Sequence, residues 1–98
     1  MKEFTEVKLI DGSFSAQDAN DMLITLFRHK IGYHEMQLFG ELERFGTDAS
    51  KSKSRITELK GDLEKVKAFM ELAKAEGFEV EIESNISIKV KKGQKQLS

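Results

Sequence analysis

Apolar and charged residues alternate over residues 3–11, the first segment of the chain. Val7 and Leu9 share one face and charged side chains lie between them, which is the two-residue period of a strand with one buried side. Gly12 follows directly, and glycine accepts the positive φ angles of tight turns without a steric cost. The pattern therefore predicts a strand that ends in a turn at Gly12.

A long helix is predicted next, with Ser15 as its N-cap. Asp18, three residues further on, completes a capping-box pattern and places a carboxylate near the positive end of the helix. Apolar residues and one histidine then recur every three or four residues in one continuous stripe: Leu23, Phe27, Ile31, His34, Leu38, Leu42 and Phe45. We expect Gly46 to end this helix as its C′ residue.

A second helix is predicted after a polar connector, residues 47–54, and it ends at Gly77. Its apolar positions alternate spacings of three and four, the heptad pattern of a helix seam: Ile56, Leu59, Leu63, Val66, Met70 and Ala73. If the chain turns back near residue 48, this seam faces the stripe of the first helix. The two helices would then form an antiparallel hairpin.

The last patterned segment places six apolar residues on even-numbered positions: Phe78, Val80, Ile82, Ile86, Ile88 and Val90. We favour a hairpin whose loop is residues 83–85, because it would set Glu79 and Glu81 opposite a strand that carries Lys89. One long bent strand is the alternative. Residues 93–98 are polar and are predicted to form a frayed tail.

These elements predict an α+β fold of order β-α-α-β-β in a single domain, residues 1–92. The long antiparallel helix hairpin would pack on a small, mainly antiparallel, three-stranded sheet. At 1.5 Å per residue the helices are about 45 and 38 Å long, whereas seven-residue strands reach only about 23 Å. We therefore expect the hairpin to overhang the sheet.

Composition narrows the chemistry available to this chain. It has 98 residues, a formal net charge of −1 and no cysteine, which excludes disulfides, thiolate metal sites and a cysteine nucleophile. No apolar run reaches the length of a membrane span, and the charged N-terminus lacks the apolar core of a signal peptide. We expect a cytoplasmic protein without a membrane partner.

Histidines and basic residues are the candidates for a chemical role. His29 and His34 differ by about 140° on a helix, so we predict no metal site, and no cofactor. For His34 we favour a hydrogen-bonded structural histidine; the alternative is a general base oriented by Glu41 or by a carboxylate of the second helix. The basic stretch Lys51–Arg55 and the basic tail lack interleaved aromatic residues, which disfavours nucleic-acid binding.

The apolar surface that lies outside the two seams is a stronger indication of function than the histidines and the basic residues. Small residues recur every seven positions on the second helix with a leucine beside them, and three large residues lie off the stripe of the first helix. These seven residues are the predicted interface: Tyr33, Met36, Phe39, Gly61, Ala68, Leu72 and Ala75. Contiguous exposed apolar patches usually mark interfaces.

The leading hypothesis is a small non-enzymatic protein-interaction module that forms a homodimer through its helices. A small enzyme or ligand-binding protein centred on His34 is one alternative. A nucleic-acid-associated protein that uses Lys51–Arg55 and the C-terminal tail is the other.

Residues 9–15, Leu-Ile-Asp-Gly-Ser-Phe-Ser, and residues 43–46, Glu-Arg-Phe-Gly, resemble stretches of small uncharacterised bacterial proteins. The resemblance indicates a family described as a domain of unknown function. It implies no activity and assigns a role to no residue.

Overall fold

Two long helices lie between two strands along the chain. The computed structural model describes residues 3–45 and 50–91. The elements are β1 (Phe4–Ser15), α1 (Ala16–Phe45), α2 (Ser50–Glu76) and β2 (Glu79–Lys89). The fold is α+β, with a helical hairpin and a two-stranded antiparallel sheet. Two compact units result: a helical unit, Phe14–Val80, and a strand unit whose described residues are 3–13 and 81–91.

The start of α1 is fixed by its predicted cap. The backbone N–H of Asp18 donates to Oγ of Ser15 over 3.1 Å, which satisfies one of the free N–H groups of the first turn. The helix then continues through Gly32 and Gly40. Gly46, the predicted end of α1, lies outside the described residues.

The end of α2 is also the predicted one. Gly77 has a φ of 72°, the left-handed conformation that glycine adopts without strain. Its N–H donates to the carbonyl of Lys74 over 3.1 Å, and the N–H of Phe78 donates to the carbonyl of Ala73 over 2.9 Å. This pair of bonds is the Schellman motif, which closes the last turn of a helix.

The core of the helical unit lies between α1 and α2, which pack antiparallel. Nζ of Lys74, near the end of α2, donates to Oε1 of Gln17, at the start of α1, over 2.9 Å. The buried cluster consists of predicted seam positions with three further side chains packed on it: Ile31, Ile56, Leu59 and Leu63, then Ile24, Phe27 and Leu38. The predicted helix hairpin is therefore confirmed.

The predicted turn at Gly12 is wrong, because β1 runs on to Ser15. Within β1, Ile10 is buried and Phe14 is half-buried, while the residues on either side of Gly12 are exposed. The alternation of a strand thus passes through Gly12 without interruption. A glycine permits a positive φ but does not impose one, and here pairing with β2 decides the conformation.

The predicted hairpin at residues 83–85 is also wrong, so the sheet has two strands instead of three. β2 is one strand of 11 residues. The hairpin needed Asn85 in the left-handed conformation, whereas no described residue other than glycine has a positive φ. The physical reason is the length of β1: its 12 residues offer β2 a partner along its whole length. The alternative of one long strand is the observed structure.

The register of the sheet, where β1 begins and β2 ends, follows from one hydrogen bond. The N–H of Val90 donates to the carbonyl of Glu3 over 2.8 Å. Counting inward along an antiparallel pair places Val7 opposite Ile86. Side chains directly opposite each other share a face, yet Val7 remains 50% exposed. The packing of the helix hairpin on the sheet, and its overhang, stay predictions.

Candidate interaction surfaces

All seven predicted interface residues lie on the surface of the helical unit. Met36 is 78% exposed, Leu72 69% and Tyr33 53%, which are large values for apolar or aromatic side chains. The remaining members are exposed as well: Phe39, Gly61, Ala68 and Ala75. The structure thus places each of these residues where a partner could reach it.

The seven residues nevertheless do not form one face. At 100° per residue, Tyr33 lies about 200° around α1 from the buried Ile31. Leu72 lies about 180° around α2 from the buried Leu63. Since Ile31 and Leu63 meet in the core between the helices, the α1 and α2 members point to opposite sides of the hairpin.

A second regular stripe runs along the side of α1 that points away from the core. Its members are spaced four, three, four, three and four residues apart, and we call them the outer face of α1: Met22, Leu26, His29, Tyr33, Met36 and Gly40. Met22 and Gly40 are half-buried and the other four are exposed. Phe39, 66% exposed, borders this face. One helix therefore carries two seams, of which the described residues fill one.

A shallow groove of about 610 Å³ lies on this outer face. It is lined by Tyr33 and Met36 together with Arg28, His29 and Gly32. The structure thus places two of the predicted interface residues, Tyr33 and Met36, beside the same shallow groove.

The ring of Tyr33 is held in place by its neighbours on α1. Its hydroxyl accepts a hydrogen bond from Nε2 of Gln37 over 3.1 Å, and the Lys30 ammonium lies 5.0 Å from the ring centre. The ring also meets His34 edge to face, at 5.2 Å between centres. A side chain that is already ordered loses less rotamer freedom when a partner binds it.

No neighbour among the described residues requires a glycine at three positions inside the helices. A methyl group built at Gly32, Gly40 or Gly61 would meet no atom within 4 Å. Each interior glycine costs a helix about 1 kcal/mol relative to alanine. Two of the three, Gly32 and Gly40, belong to or adjoin the outer face of α1, where a close approach by another chain would use the missing side chain.

His34 occupies a different cavity, of about 410 Å³, at the start of α2. Its Nε2 atom is shielded from solvent and has no hydrogen-bond partner among the described residues. The hydrogen bond predicted for a structural His34 is therefore not seen at Nε2, while a general base would need this nitrogen to reach the proton that it removes. Both interpretations of His34 stay predictions. The side chain of Glu41 lies outside the described part of the chain; the carboxylate lining this cavity is that of Glu58.

The basic stretch at the start of α2 lines the same cavity through Lys51 and Arg55. Nη1 of Arg55 pairs with Oε2 of Glu58 at 3.0 Å, which offsets one of the positive charges. The basic tail after Lys91 lies outside the described residues. Nucleic-acid binding through this stretch and the tail therefore stays a prediction.

The sequence contained the signal for the outer face of α1, although the predicted interface captured only part of it. Tyr33 and Met36 were identified because they lie off the main stripe. Leu26 and His29 were missed, because in a helix with two seams almost every turn carries an apolar residue on both sides. The two seams become distinct when their residues are assigned to two separate heptad series.

Comparisons with protein families, with curated proteins and with solved structures gave no match to this chain. The resemblance to small bacterial proteins therefore stays a prediction. Among the described helices none is long and apolar enough to cross a membrane. Residues 3–45 and 50–91 also contain no group of three or more histidine and carboxylate side chains that could hold a metal ion.

Proposed function

We propose that this protein is a small non-enzymatic interaction module that forms a homodimer through the outer face of α1. The observation that carries the proposal is the unfilled second seam of α1, in which Tyr33 and Met36 border a groove. A helix with apolar residues on one side packs that side against its own chain. A helix with two such sides needs a second partner.

A second copy of the same helix fits this seam by symmetry. The spacing of the outer face reads the same in both directions along α1, so an antiparallel copy related by a two-fold axis presents the matching pattern. Such a pairing sets Met36 against Leu26 of the second copy, and Gly40 against Met22. Met22 of each copy then meets Gly40 of the other at the two ends of the seam, where the missing side chain of glycine leaves room for the methionine.

The α2 members of the predicted interface lie on the other side of the hairpin and provide the matched control. Met36→Glu and Leu72→Glu introduce the same charge at two apolar positions that are each more than two-thirds exposed. Neither change removes buried contacts, so both variants should fold, which circular dichroism would verify.

Sedimentation equilibrium at micromolar concentration then separates the two faces. We expect Met36→Glu to dissociate the dimer, because the seam would have to bury two carboxylates related by symmetry. Leu72→Glu should leave the dimer intact. A Met36→Glu variant that associates like the wild-type protein would contradict the proposal, and so would dissociation caused by Leu72→Glu alone.

A further inference from the structure

The outer edge of β2 has no hydrogen-bonded strand partner among the described residues. β2 is hydrogen-bonded to β1 alone in the two-stranded sheet. Because Val90 directs its N–H towards β1, the alternation of an antiparallel strand directs the backbone groups of Ser87 and Lys89 to the opposite edge. Long edges of this kind pair readily with another strand, and folded proteins normally cover or guard them.

The charges of β2 are separated along its length. Glu79, Glu81 and Glu83 occupy the first half of the strand, whereas Lys89 and Lys91 occupy the second half and its end. The ion pairs of the described residues involve none of these side chains. Glu81 and Lys89 are eight residues apart, about 26 Å along a strand, so they cannot meet within one copy.

We propose that the β2 edge binds β2 of a second copy, antiparallel, with the two-fold axis at Asn85. Counting outward from Asn85 places Glu81 opposite Lys89 of the second copy, and Glu79 opposite its Lys91. These odd-numbered residues are the ones whose backbone groups point to the free edge, so the register that pairs the charges also pairs the hydrogen bonds. Opposite charges placed directly across two strands stabilise the pairing.

The apolar positions of β2 match in the same register. Ile82 lies opposite Ile88 of the second copy, and Val80 lies opposite its Val90. The product is a four-stranded sheet of order β1-β2-β2-β1, with an apolar face continuous across the two-fold axis. An isolated two-stranded ribbon is at best marginally stable in water, whereas sheets of three or more strands with an apolar face can be stable.

This contact does not rest on the outer face of α1. One two-fold axis that generates both contacts gives a dimer, whereas two separate axes give an assembly larger than a dimer. In either assembly a charge change at Glu81 or Lys89 acts on the strand contact, and Met36→Glu acts on the helix contact. The failure of one proposal is therefore distinguishable from the failure of the other.

Charge reversal at one pair of residues tests the strand contact. Glu81→Lys sets lysine against Lys89 twice, once on each side of the axis, and Lys89→Glu sets glutamate against Glu81 twice. We expect each variant alone to form the strand contact about tenfold more weakly than the wild-type protein. Combining both changes in one chain should restore the contact.

The decisive experiment mixes the two single variants, one of them labelled with ¹⁵N, and counts mixed and unmixed assemblies by native mass spectrometry. Both symmetry-related pairs regain opposite charges only in the mixed assembly, so it should exceed its statistical share about tenfold relative to the unmixed ones. Glu71→Lys, an exposed reversal on α2, mixed with Lys89→Glu is the control and should assemble statistically. A statistical mixture of the two β2 variants would overturn the proposal.

The same variants also test the opposite role for these charges, which is to guard the edge against pairing. If they acted as guards, reversing one of them would leave association unchanged or strengthen it, and this result would also overturn the proposal. Hydrogen exchange of the Ser87 and Lys89 amides adds an independent readout. Protection of these amides that disappears on dilution to the monomer supports the strand contact, whereas protection that persists in the monomer contradicts it.

Discussion

Replacing glycine by alanine inside the helices separates the stability of the helical unit from that of the proposed dimer. Gly61 is exposed on α2, and a methyl group there would meet no atom within 4 Å. Gly61→Ala should therefore raise the free energy of unfolding by about 1 kcal/mol. For a chain of this size that corresponds to roughly 4–8 °C in Tm.

Gly32→Ala should have two effects of opposite sign. Within one copy the added methyl group also meets no atom within 4 Å, so the monomer should gain about 1 kcal/mol as well. In the dimer the methyl group enters the groove beside Tyr33 and Met36, where overpacking costs about 1 kcal/mol per copy. Two copies give roughly a thirtyfold weaker dimer.

Two measurements separate these effects. Chemical denaturation in a Met36→Glu/Glu81→Lys background, in which both proposed contacts are weakened, reports the stability of the monomer, and sedimentation equilibrium in the wild-type background reports the dissociation constant. Gly61→Ala is the matched control, since it should change the first quantity and leave the second unchanged. If Gly32→Ala left the dimer as tight as before, no partner would approach α1 at the groove and the reasoning would be refuted.

Substitutions at three further positions test the local account of the fold by denaturation in the same monomeric background. Ser15→Ala should cost about 1 kcal/mol by removing the cap of α1, while Ser15→Asp should retain most of the stability. Gly77→Ala should cost about 1–2 kcal/mol, because alanine is strained at a φ of 72°, and Gly77→Asn should cost less. Leu63→Ala, at a core position that is 8% exposed, should cost about 2–5 kcal/mol. Losses well below these values would contradict the corresponding contacts.

The helices could be predicted closely because their signals are local. The seam of α2 follows from spacing alone, and Leu59 and Leu63 are buried as the spacing requires. The ends of the helices follow from short-range chemistry at Ser15 and Gly77. Each of these features depends on residues within about one helical turn.

The strands could not be predicted as well, because their limits depend on a distant partner. An alternating pattern over residues 78–90 fits both a hairpin and a straight strand, since either arrangement keeps the even-numbered residues on one face. The choice between them depends on the length of β1. At Gly12, likewise, pairing with the distant β2 extends the strand through a residue that is typical of turns.

The charge pattern of β2 is real, but the hairpin that we predicted from it is wrong. The attraction between Glu81 and the lysines near Lys89 suggested a hairpin within one chain. The straight strand keeps these residues about 26 Å apart and leaves the same complementarity available to a second copy. The predicted interface on the helices is likewise not one surface, because Met36 and Leu72 lie on opposite sides of the hairpin.

Self-association is the central claim, and sedimentation equilibrium of the wild-type protein across a micromolar concentration series tests it most directly. The unfilled seam of α1 predicts a mass that rises with concentration from that of one 11.1 kDa chain to at least twice that value. A single species with the mass of one chain at every concentration would contradict it.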